Sequence, residues 1–297
     1  MTPLATVGNV NVDLIMGPLA PWPEPGTEVI CPQSETRVGG AAGNAALAWM
    51  ALDVPFQIAA ATGSDPYGDW LRAGFGAMSA GWPKMPGATT LSVGVTHPDG
   101  ERTFLSTAGH LPLFDWPDVE RQLDWEALAG GKLLLCGSFL SPRLADAYDA
   151  LFDRCDALKI EVALDTGWPP EGWGPWRTRV LDWIDRSEIV LFNEIEAAAV
   201  TGRDDPAEAL EALAPRGIAV IKRGPQGAVA RQGTERASVA APQVAVIDTI
   251  GAGDIFNAAF LAALPRGLQA AMDAGTACAS RAVSSQPRRY MVQEVPA

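Results

Sequence analysis

A carboxylate directly follows a glycine-rich turn in the run DTIGAGDIFNAAFLAAL, residues 248–264. The apolar spacing beyond the turn predicts a helix, and Gly251, Ala252 and Gly253 would lie at its N-terminus. The first N–H groups of a helix have no intrahelical partner and carry partial positive charge. Glycine also lets a ligand approach the backbone closely. These residues therefore predict an anion hole made of backbone amides.

Asp254 would occupy the first turn of the same helix, where the helix dipole favours an ionised carboxylate. We therefore expect it to be charged at neutral pH and to accept a proton from a hydroxyl aligned beside the anion hole. A base and an anion hole within one helical turn suit phosphoryl transfer to an alcohol. These residues alone leave open a second interpretation, an ordinary acidic residue at a helix start.

A second small-residue turn, VGGAAGNAALA at 38–48, also leads into a predicted helix. Gly39 and Gly40 could bring backbone amides against a polar ligand, and Asn44 can donate or accept a hydrogen bond. The glycine spacing is not that of a dinucleotide-binding GxGxxG motif, and the sequence contains no GxxxxGK[ST] phosphate loop. A purely structural turn between a strand and a helix is the alternative.

The composition is that of a globular protein, with 297 residues of which 48% are hydrophobic and 19% charged. Its formal net charge of −13 disfavours binding to nucleic acid or to an anionic membrane. Four cysteines without a CxxC pair and only two histidines disfavour a zinc site or a disulfide framework. No apolar run is long enough for a membrane span, and no basic stretch opens the chain, so we expect a cytoplasmic protein.

Short apolar runs alternate with helical patterns along the chain, which predicts an α/β fold with a mostly parallel sheet covered on both faces. The predicted strands are 4–10, 56–62, 132–137, 160–165, 188–193 and 218–224, and the predicted helices between and after them include 42–52, 65–78, 142–155 and 206–214. Ligands bind beyond the carboxyl ends of parallel strands. The polar residues at these ends, among them Asn9 to Asp13, Asp165 and Asn193 to Glu196, are therefore candidates for a site.

Two segments do not fit a parallel core. Residues 12–38 carry five prolines, and 91–107 contains two alternating runs joined by Pro98-Asp99-Gly100, a hairpin signal. We predict that they form a small β-sheet appended to one domain spanning 1–297.

Together the two glycine-rich segments resemble the signatures of the ribokinase (PfkB) family of carbohydrate and nucleoside kinases. GGAAGNAALA resembles the first signature and DTIGAGDIFNAA the second, and their order and spacing also fit. GNVNVD near the start, NEIE at 193–196 and KRGPQGA at 222–228 extend the resemblance along the chain. It implies a three-layer ribokinase-like fold in which the small β-sheet, from 12–38 and 91–107, is a lid over the sugar that also pairs protomers as a homodimer.

The resemblance also implies roles for the matching residues. Asp254 would be the general base, and Gly251, Ala252 and Gly253 would hold the γ-phosphate of ATP. Sugar hydroxyls would be bound by Asn11, Asp13, Gly39, Gly40 and Asn44, and the nucleotide by Lys222, Gly224, Gly227 and Thr276. Mg²⁺ would lie near Asn193 and Glu196, mainly through water, and a monovalent cation such as K⁺ would be bound by the Asp248 side chain and the Ile250 carbonyl. An N-cap of a helix is the alternative for Asn193.

The sequence departs from the ribokinase pattern at two places. Ala41 stands where many ribokinases have Lys, and Gly137-Ser138 stands where many have an acidic or amide residue that contacts the sugar. We therefore expect an ATP- and Mg²⁺-dependent kinase acting on a hydroxyl, in the first instance a primary one, of a small sugar or sugar acid. A nucleoside kinase is the alternative, and a non-catalytic sugar-binding protein is disfavoured by the intact Asp254. Arg102 is either a phosphate or substrate contact or a surface residue, and Trp22 is a candidate for stacking on a sugar.

Overall fold

The computed structural model describes residues 2–98 and 102–290. These residues form fourteen strands: β1 (Leu4–Val7), β2 (Asn11–Gly17), β3 (Gln33–Gly39), β4 (Gln57–Ala59), β5 (Thr62–Gly63), β6 (Lys84–Met85), β7 (Leu91–Thr96), β8 (Arg102–Ser106), β9 (Lys132–Cys136), β10 (Glu161–Asp165), β11 (Ile189–Asn193), β12 (Ile218–Lys222), β13 (Ala228–Gln232) and β14 (Glu235–Val239). Asp99 and Gly100, the centre of the predicted hairpin turn, lie outside the described residues.

The main sheet has eight strands in the order β14-β13-β12-β11-β10-β9-β1-β4. All neighbours from β4 to β12 pair in parallel, whereas β13 and β14 add an antiparallel edge. The prediction of a mostly parallel sheet is confirmed. Because the strands are parallel, their carboxyl ends share one edge, where Asp165 pairs in register with Cys136 and Asn193 with Lys222.

Alternate side chains of the central strands enter two separate cores. In β9, Leu133 and Leu135 belong to one core and Leu134 and Cys136 to the other. Helices cover both faces and complete a three-layer architecture. One face carries α1 (Ala41–Ala51), α2 (Pro66–Phe75), α10 (Ala252–Ala263) and α11 (Leu268–Val283), and the other carries α3 (Trp116–Gln122), α4 (Trp125–Leu128), α5 (Pro142–Asp146), α6 (Tyr148–Leu158), α7 (Arg177–Arg186), α8 (Glu194–Thr201) and α9 (Pro206–Ala212).

A second sheet of four strands, here called the small sheet, has the order β3-β2-β7-β8. Its strands come from the two segments that did not fit a parallel core. Only three residues separate β1 of the main sheet from β2 of the small sheet, so Asn9, Asn11 and Asp13 lie at the junction of the two sheets. Asp13 pairs in register with Arg37 of β3. A short parallel pair, β5 and β6, forms a third sheet.

Helices α1 and α10 pack directly against each other through small residues. Ala42, Ala45 and Ala258 are buried at this contact region, and the Trp49 indole Nε1 donates to the carbonyl oxygen of Ala258 at 2.8 Å. Both helices begin immediately after a glycine-rich turn, at Gly40 and Gly251. Their packing therefore brings the two sequence signatures together.

The helical predictions need one correction. Residues 142–155 form two helices, α5 and α6, because Ala147 leaves the helical conformation at φ −103° and ψ 11°. Within residues 2–98 and 102–290, no helix has the length and apolar character that crossing a bilayer requires.

Candidate functional site

The N-terminus of α10 faces the carboxyl edge of the main sheet. Its N-cap, Gly251, adopts the left-handed conformation at φ 75°. A Cβ at this position would lie 2.7 Å from Nδ2 of Asn44, so both the conformation and the close approach require glycine. The turn over Gly251–Gly253 therefore presents backbone. The Ala252 N–H donates to the Thr249 carbonyl oxygen at 3.2 Å, whereas the N–H groups of Gly253 and Asp254 have no backbone partner among the described residues and are available to an anion.

Asp254 lies at this turn and accepts a hydrogen bond from Asn44, Nδ2 to Oδ2, at 2.9 Å. Burial raises the pKa of Asp254 to about 7, and the negative charge of Asp165 acts in the same direction. The hydrogen bond from Asn44 and the charge of Lys222 act to lower it. The expectation of a fully charged Asp254 at neutral pH is therefore corrected, because it considered the helix dipole alone and omitted burial and Asp165.

A buried ion pair lies beside this turn. The Lys222 ammonium contacts the Asp165 carboxylate at 2.6 Å and the Asn257 side-chain oxygen at 3.1 Å, while the Asn257 amide donates to Asp165. Burial opposes the charge of Lys222, but the carboxylates around it, Asp165 first, raise the pKa of its ammonium. A Cβ on Gly253 would lie 3.2 Å from Lys222 Nζ. Lys222, which is predicted to bind the nucleotide, thus places its charge beside the anion-hole turn, and its contact with the nucleotide stays a prediction.

The predicted sugar-binding residues form one connected group at the junction of the two sheets. Asn11 donates to Asp13 at 2.8 Å and accepts from Asn9 at 3.1 Å. A Cβ on Gly39 would lie 2.1 Å from the Asp13 carboxyl, and one on Gly40 would lie 2.3 Å from the carbonyl oxygen of Asn9. Burial raises the pKa of Asp13 to about 6, although Arg37 and Asn11 oppose the shift. Backbone without side chains thus borders a row of polar groups.

Asn193 and Glu196 form a reciprocal capping box at the start of α8. The Asn193 side chain accepts from the Glu196 N–H, and the Glu196 carboxylate accepts from the Asn193 N–H, both at 2.8 Å. Burial, followed by the charge of Asp165, raises the pKa of Glu196. The structure therefore shows Asn193 as the N-cap of α8, the alternative stated for it. A role near Mg²⁺ would use the lone pairs of the Asn193 and Glu196 side-chain oxygens that the two capping hydrogen bonds leave free.

The residues predicted to lie along a nucleotide are placed in two elements. Gly224 and Gly227 flank the short turn after β12, and a Cβ on Gly227 would lie 1.9 Å from the Val239 carbonyl oxygen. Thr276 is buried in α11, and its hydroxyl makes no hydrogen bond to the described part of the chain. Trp22, considered for sugar stacking, is 52% exposed. Its ring centroid lies 6.1 Å from that of His97, which directly follows β7 of the small sheet.

Asp248, predicted to bind a monovalent cation, is surrounded by basic groups. Its Oδ2 accepts from Arg37 and, at 2.8 Å, from Arg288, and its Oδ1 accepts from the Ile250 N–H at 2.8 Å. Both carboxylate oxygens are thus engaged by protein donors. These contacts do not fit the expected cation site. Near it, Arg102 of β8 donates to the Thr249 hydroxyl and joins the small sheet to the same loop.

Comparisons with known proteins identify the family of the chain. The family model for pfkB family carbohydrate kinases matches residues 1–293. The chain belongs to the pfkB family of carbohydrate kinases. It is therefore a phosphotransferase that acts on a hydroxyl group, and the resemblance of the two glycine-rich segments is confirmed at the level of the family.

Relatives of this pfkB-family kinase include both sugar and nucleoside kinases. It is 27% identical over 278 residues to the cytidine kinase of Thermococcus kodakarensis, covering 90% of each chain. It is 25% identical over 306 residues to the ribokinase of Bacillus subtilis, covering 99% of each. An E. coli structure described as a ribokinase II in complex with ATP and Mg²⁺ superposes with a TM-score of 0.79 at 21% identity, covering 96% of this chain and 94% of the other. The ribokinase-like fold is thereby confirmed.

Sequence reasoning gave no role in the kinase to Asn257, Arg37 and Arg288. Asn257 lies three residues beyond Asp254, so the helical period places it near the same face of α10 and could have indicated it. Asp165 was recognisable as a polar residue at a strand end. Arg37 and Arg288 carried no local signal, because they meet Asp248 only through long-range packing.

Proposed function

We propose that this kinase transfers the γ-phosphate of ATP to a hydroxyl, in the first instance a primary one, of a small sugar or sugar acid. The observation that carries the proposal is the position of Asp254, a carboxylate with a pKa near 7 at the mouth of an anion hole, hydrogen-bonded to Asn44 of the other signature. A general base works best when its pKa lies near the operating pH.

In the proposed reaction, the acceptor is held by the connected group of Asn11 and Asp13 beside the bare backbone of Gly39 and Gly40. A carboxylate can accept hydrogen bonds from two adjacent hydroxyls, which favours a polyol. Asp254 takes the proton of the attacking hydroxyl. The hydroxyl oxygen bonds to the γ-phosphorus as the bond between the γ-phosphorus and the β-phosphate oxygen breaks, which releases ADP. The amides of Gly251–Gly253 stabilise the charge on the transferred phosphoryl group.

The donor side is assigned by the same reasoning. Gly224, Gly227 and Thr276 would border the nucleotide, and the Thr276 hydroxyl, which has no hydrogen-bond partner among the described residues, is available to it. Mg²⁺ supplies charge neutralisation on the phosphates, and Asn193 and Glu196 would hold it mainly through water, since magnesium dehydrates reluctantly. We expect this reaction in the cytoplasm, where ATP is the common phosphoryl donor.

The small sheet is proposed to act as a lid. Arg102 of β8 contacts Thr249 of the anion-hole loop. Side-chain atoms of Ile15 and Phe104 of the small sheet and of Ile250 all border Gly94. A lid in this position would exclude water from the phosphates and limit the wasteful hydrolysis of ATP. Its outer face is proposed to pair two copies of the chain.

A nucleoside kinase is the second candidate, and two observations favour it. The cytidine kinase of T. kodakarensis is among the relatives, and Phe104 on the small sheet is 43% exposed. Phe104 borders Gly94 together with Ile15, which lies two positions along β2 from Asp13. An aromatic face there could stack on a base. Asn11 and Asp13 would suit the ribose hydroxyls of a nucleoside as well as those of a free sugar.

The deciding experiment is a screen of ATP consumption across sugars, sugar acids and nucleosides, with Asp254→Asn as the inactive control. We expect acceptor-dependent formation of ADP with a sugar or sugar acid, and mass spectrometry of the product identifies the phosphorylated hydroxyl. Turnover confined to nucleosides would replace the first candidate by the second. If no sugar, sugar acid or nucleoside is phosphorylated, both candidate functions are overturned.

A further inference from the structure

The loop that carries the anion hole is anchored by two arginines at the position where the family resemblance implies a monovalent cation. Asp248 Oδ2 accepts from both Arg37 and Arg288, and Asp248 Oδ1 accepts from the Ile250 N–H. The side chains of the three charged residues are only 18%, 15% and 14% exposed, respectively for Asp248, Arg37 and Arg288. The cluster is therefore a largely buried structural unit.

A cation bound to Asp248 would have to compete with this arrangement. Charge-assisted hydrogen bonds are the strong ones, and here two guanidinium groups share one carboxylate oxygen. The two positive charges exceed the single charge of Asp248. Two further carboxylates of the described residues act on them: Glu35, which lies 4.0 Å from Arg37 and is half exposed, and the buried Asp13, whose pKa both arginines act to lower. A third positive charge at the same carboxylate would face repulsion in a poorly solvated place.

We infer that the guanidinium groups of Arg37 and Arg288 replace a monovalent cation, so that this kinase holds its anion-hole loop without K⁺. Two guanidinium groups satisfy the Asp248 carboxylate, which in turn holds the Ile250 N–H just before Gly251. The two arginines are positioning residues, since they act on the anion hole through Asp248.

The two arginines also join distant parts of the molecule to the loop. Arg37 lies on β3 of the small sheet and pairs in register with Asp13, and Arg288 follows α11. Through Asp248, the anion-hole loop is thus tied to the acceptor side and to the end of the last helix. The position of the loop therefore depends on the small sheet and not on the K⁺ concentration of the solvent.

The inference rests on the proposed kinase reaction only for its activity measurement. With the acceptor found in the screen, kcat/KM is measured in potassium chloride and in tetramethylammonium chloride at a constant ionic strength of about 0.1 M. We expect the same kcat/KM in both salts for the wild type. The double variant Arg37→Met/Arg288→Met should be impaired in tetramethylammonium and recover with K⁺ by about fivefold or more, the lower end of usual effector coupling. The exposed neighbour provides the control, Arg289→Met, which should behave as the wild type.

A second measurement does not depend on any acceptor. Titration with Tl⁺, a spectroscopic substitute for K⁺, is followed by thallium NMR for the wild type, Asp248→Asn and the double variant. We expect Asp248→Asn to leave the wild-type Tl⁺ signal unchanged, and the double variant to gain a site. Loss of wild-type Tl⁺ binding in Asp248→Asn, or activation of the wild type by K⁺, overturns the inference. A folded double variant that gains neither Tl⁺ binding nor K⁺ rescue also overturns it, and Arg288→Met alone serves if the double variant does not fold.

Discussion

Asn44 Nδ2 donates to Asp254 Oδ2 at 2.9 Å across a separation of 210 residues in the sequence. The contact joins the first turns of α1 and α10, and the Trp49–Ala258 hydrogen bond holds the same two helices together further along. The orientation of the carboxylate is therefore fixed by a helix pair and not by a mobile loop. Because Gly251 packs against the Asn44 amide, the anion hole and the proposed base belong to one rigid unit.

Replacement of the proposed base should abolish most of the activity. We expect Asp254→Asn to lower kcat by at least about 100-fold, because general-base catalysis contributes on this scale. The asparagine can still accept the hydrogen bond from Asn44, so the fold should persist, as circular dichroism would show. Asp182→Asn, an exposed position on α7, is the matched control and should retain wild-type kcat. A fully active Asp254→Asn would remove Asp254 from the mechanism.

The same substitution should stabilise the protein at alkaline pH. The pKa of Asp254 is raised from 3.8 to about 7 in the folded state, so the folded state holds this proton more tightly than the unfolded state does. The contribution of the bound Asp254 proton to the free energy of unfolding is therefore lost as the pH rises from about 4 to about 7. We expect Asp254→Asn to gain at least about 1 kcal/mol over the wild type at pH 8, the value of roughly one pKa unit, and almost nothing at pH 4. Urea unfolding at the two pH values measures this, and an equal gain at both would contradict the assigned pKa.

The buried pair of Lys222 and Asp165 should set the pH at which the base works. Asp165 raises the pKa of Asp254 and Lys222 lowers it. We therefore expect the acidic limb of kcat/KM to move to lower pH in Asp165→Asn and to higher pH in Lys222→Met.

Either substitution leaves a buried charge without its partner and should cost about 3–5 kcal/mol in the free energy of unfolding. The double variant Asp165→Asn/Lys222→Met should recover part of that loss and return the acidic limb toward the wild-type position. Shifts of the same sign in both single variants would argue that the pair acts only by supporting the fold.

A methyl group on Gly39 should obstruct the acceptor side alone. Its Cβ would lie 2.1 Å from the Asp13 carboxyl, which must then move. We expect Gly39→Ala to raise the KM for the acceptor at least about tenfold, equivalent to roughly 1.4 kcal/mol, and to leave the KM for ATP unchanged. Gly74→Ala in α2, where a Cβ meets its nearest neighbour at an ordinary 3.7 Å, is the control. Equal increases in both KM values would place Gly39 outside the acceptor site.

Pairing of two chains through the small sheet is testable by a single charge. Leu105 on β8 is 55% exposed and points to the face of the small sheet opposite to Phe104, and Ile30 of the same proposed lid is 90% exposed. We expect the wild type to have twice the chain mass of 31.3 kDa by light scattering, and Leu105→Glu to be monomeric. Ile195→Glu, at a 65% exposed position on α8, should leave the mass unchanged. A wild type of single-chain mass would exclude the dimer.

Much of the fold followed from local patterns. Continuous apolar runs such as 132–137 and 188–193 could be assigned to buried parallel strands because both faces of the sheet are covered, and each lies within about one residue of its observed strand. The antiparallel edge of β13 and β14 was missed, although Gln232-Gly233-Thr234 between two alternating runs is a turn signal.

The charge environment of the site could not be read from local sequence. Asp165 was marked by its place at a strand end, but its partner Lys222 lies 57 residues later in the sequence. The two residues meet because their strands, β10 and β12, flank the same strand, β11, in the sheet. Arg37 looked like one residue of a polar strand until β3 brought it to Asp248, 211 residues away. Burial and long-range charge are properties of the assembled fold, and they decide the pKa of Asp254 and the fit of a cation.

The separation between the two helices of the site has a consequence for how the protein is made. The ribosome synthesises the proposed acceptor side first, since Asn11, Asp13 and Asn44 precede α10 and the chain emerges from its N-terminus. Every strand of the main sheet, through Val239, precedes the helix that carries Asp254. A nascent chain that ends before α10 would thus carry the proposed hydroxyl-binding groups without the proposed base. In the proposed mechanism, phosphoryl transfer becomes available only once α10 has been synthesised and has docked on α1.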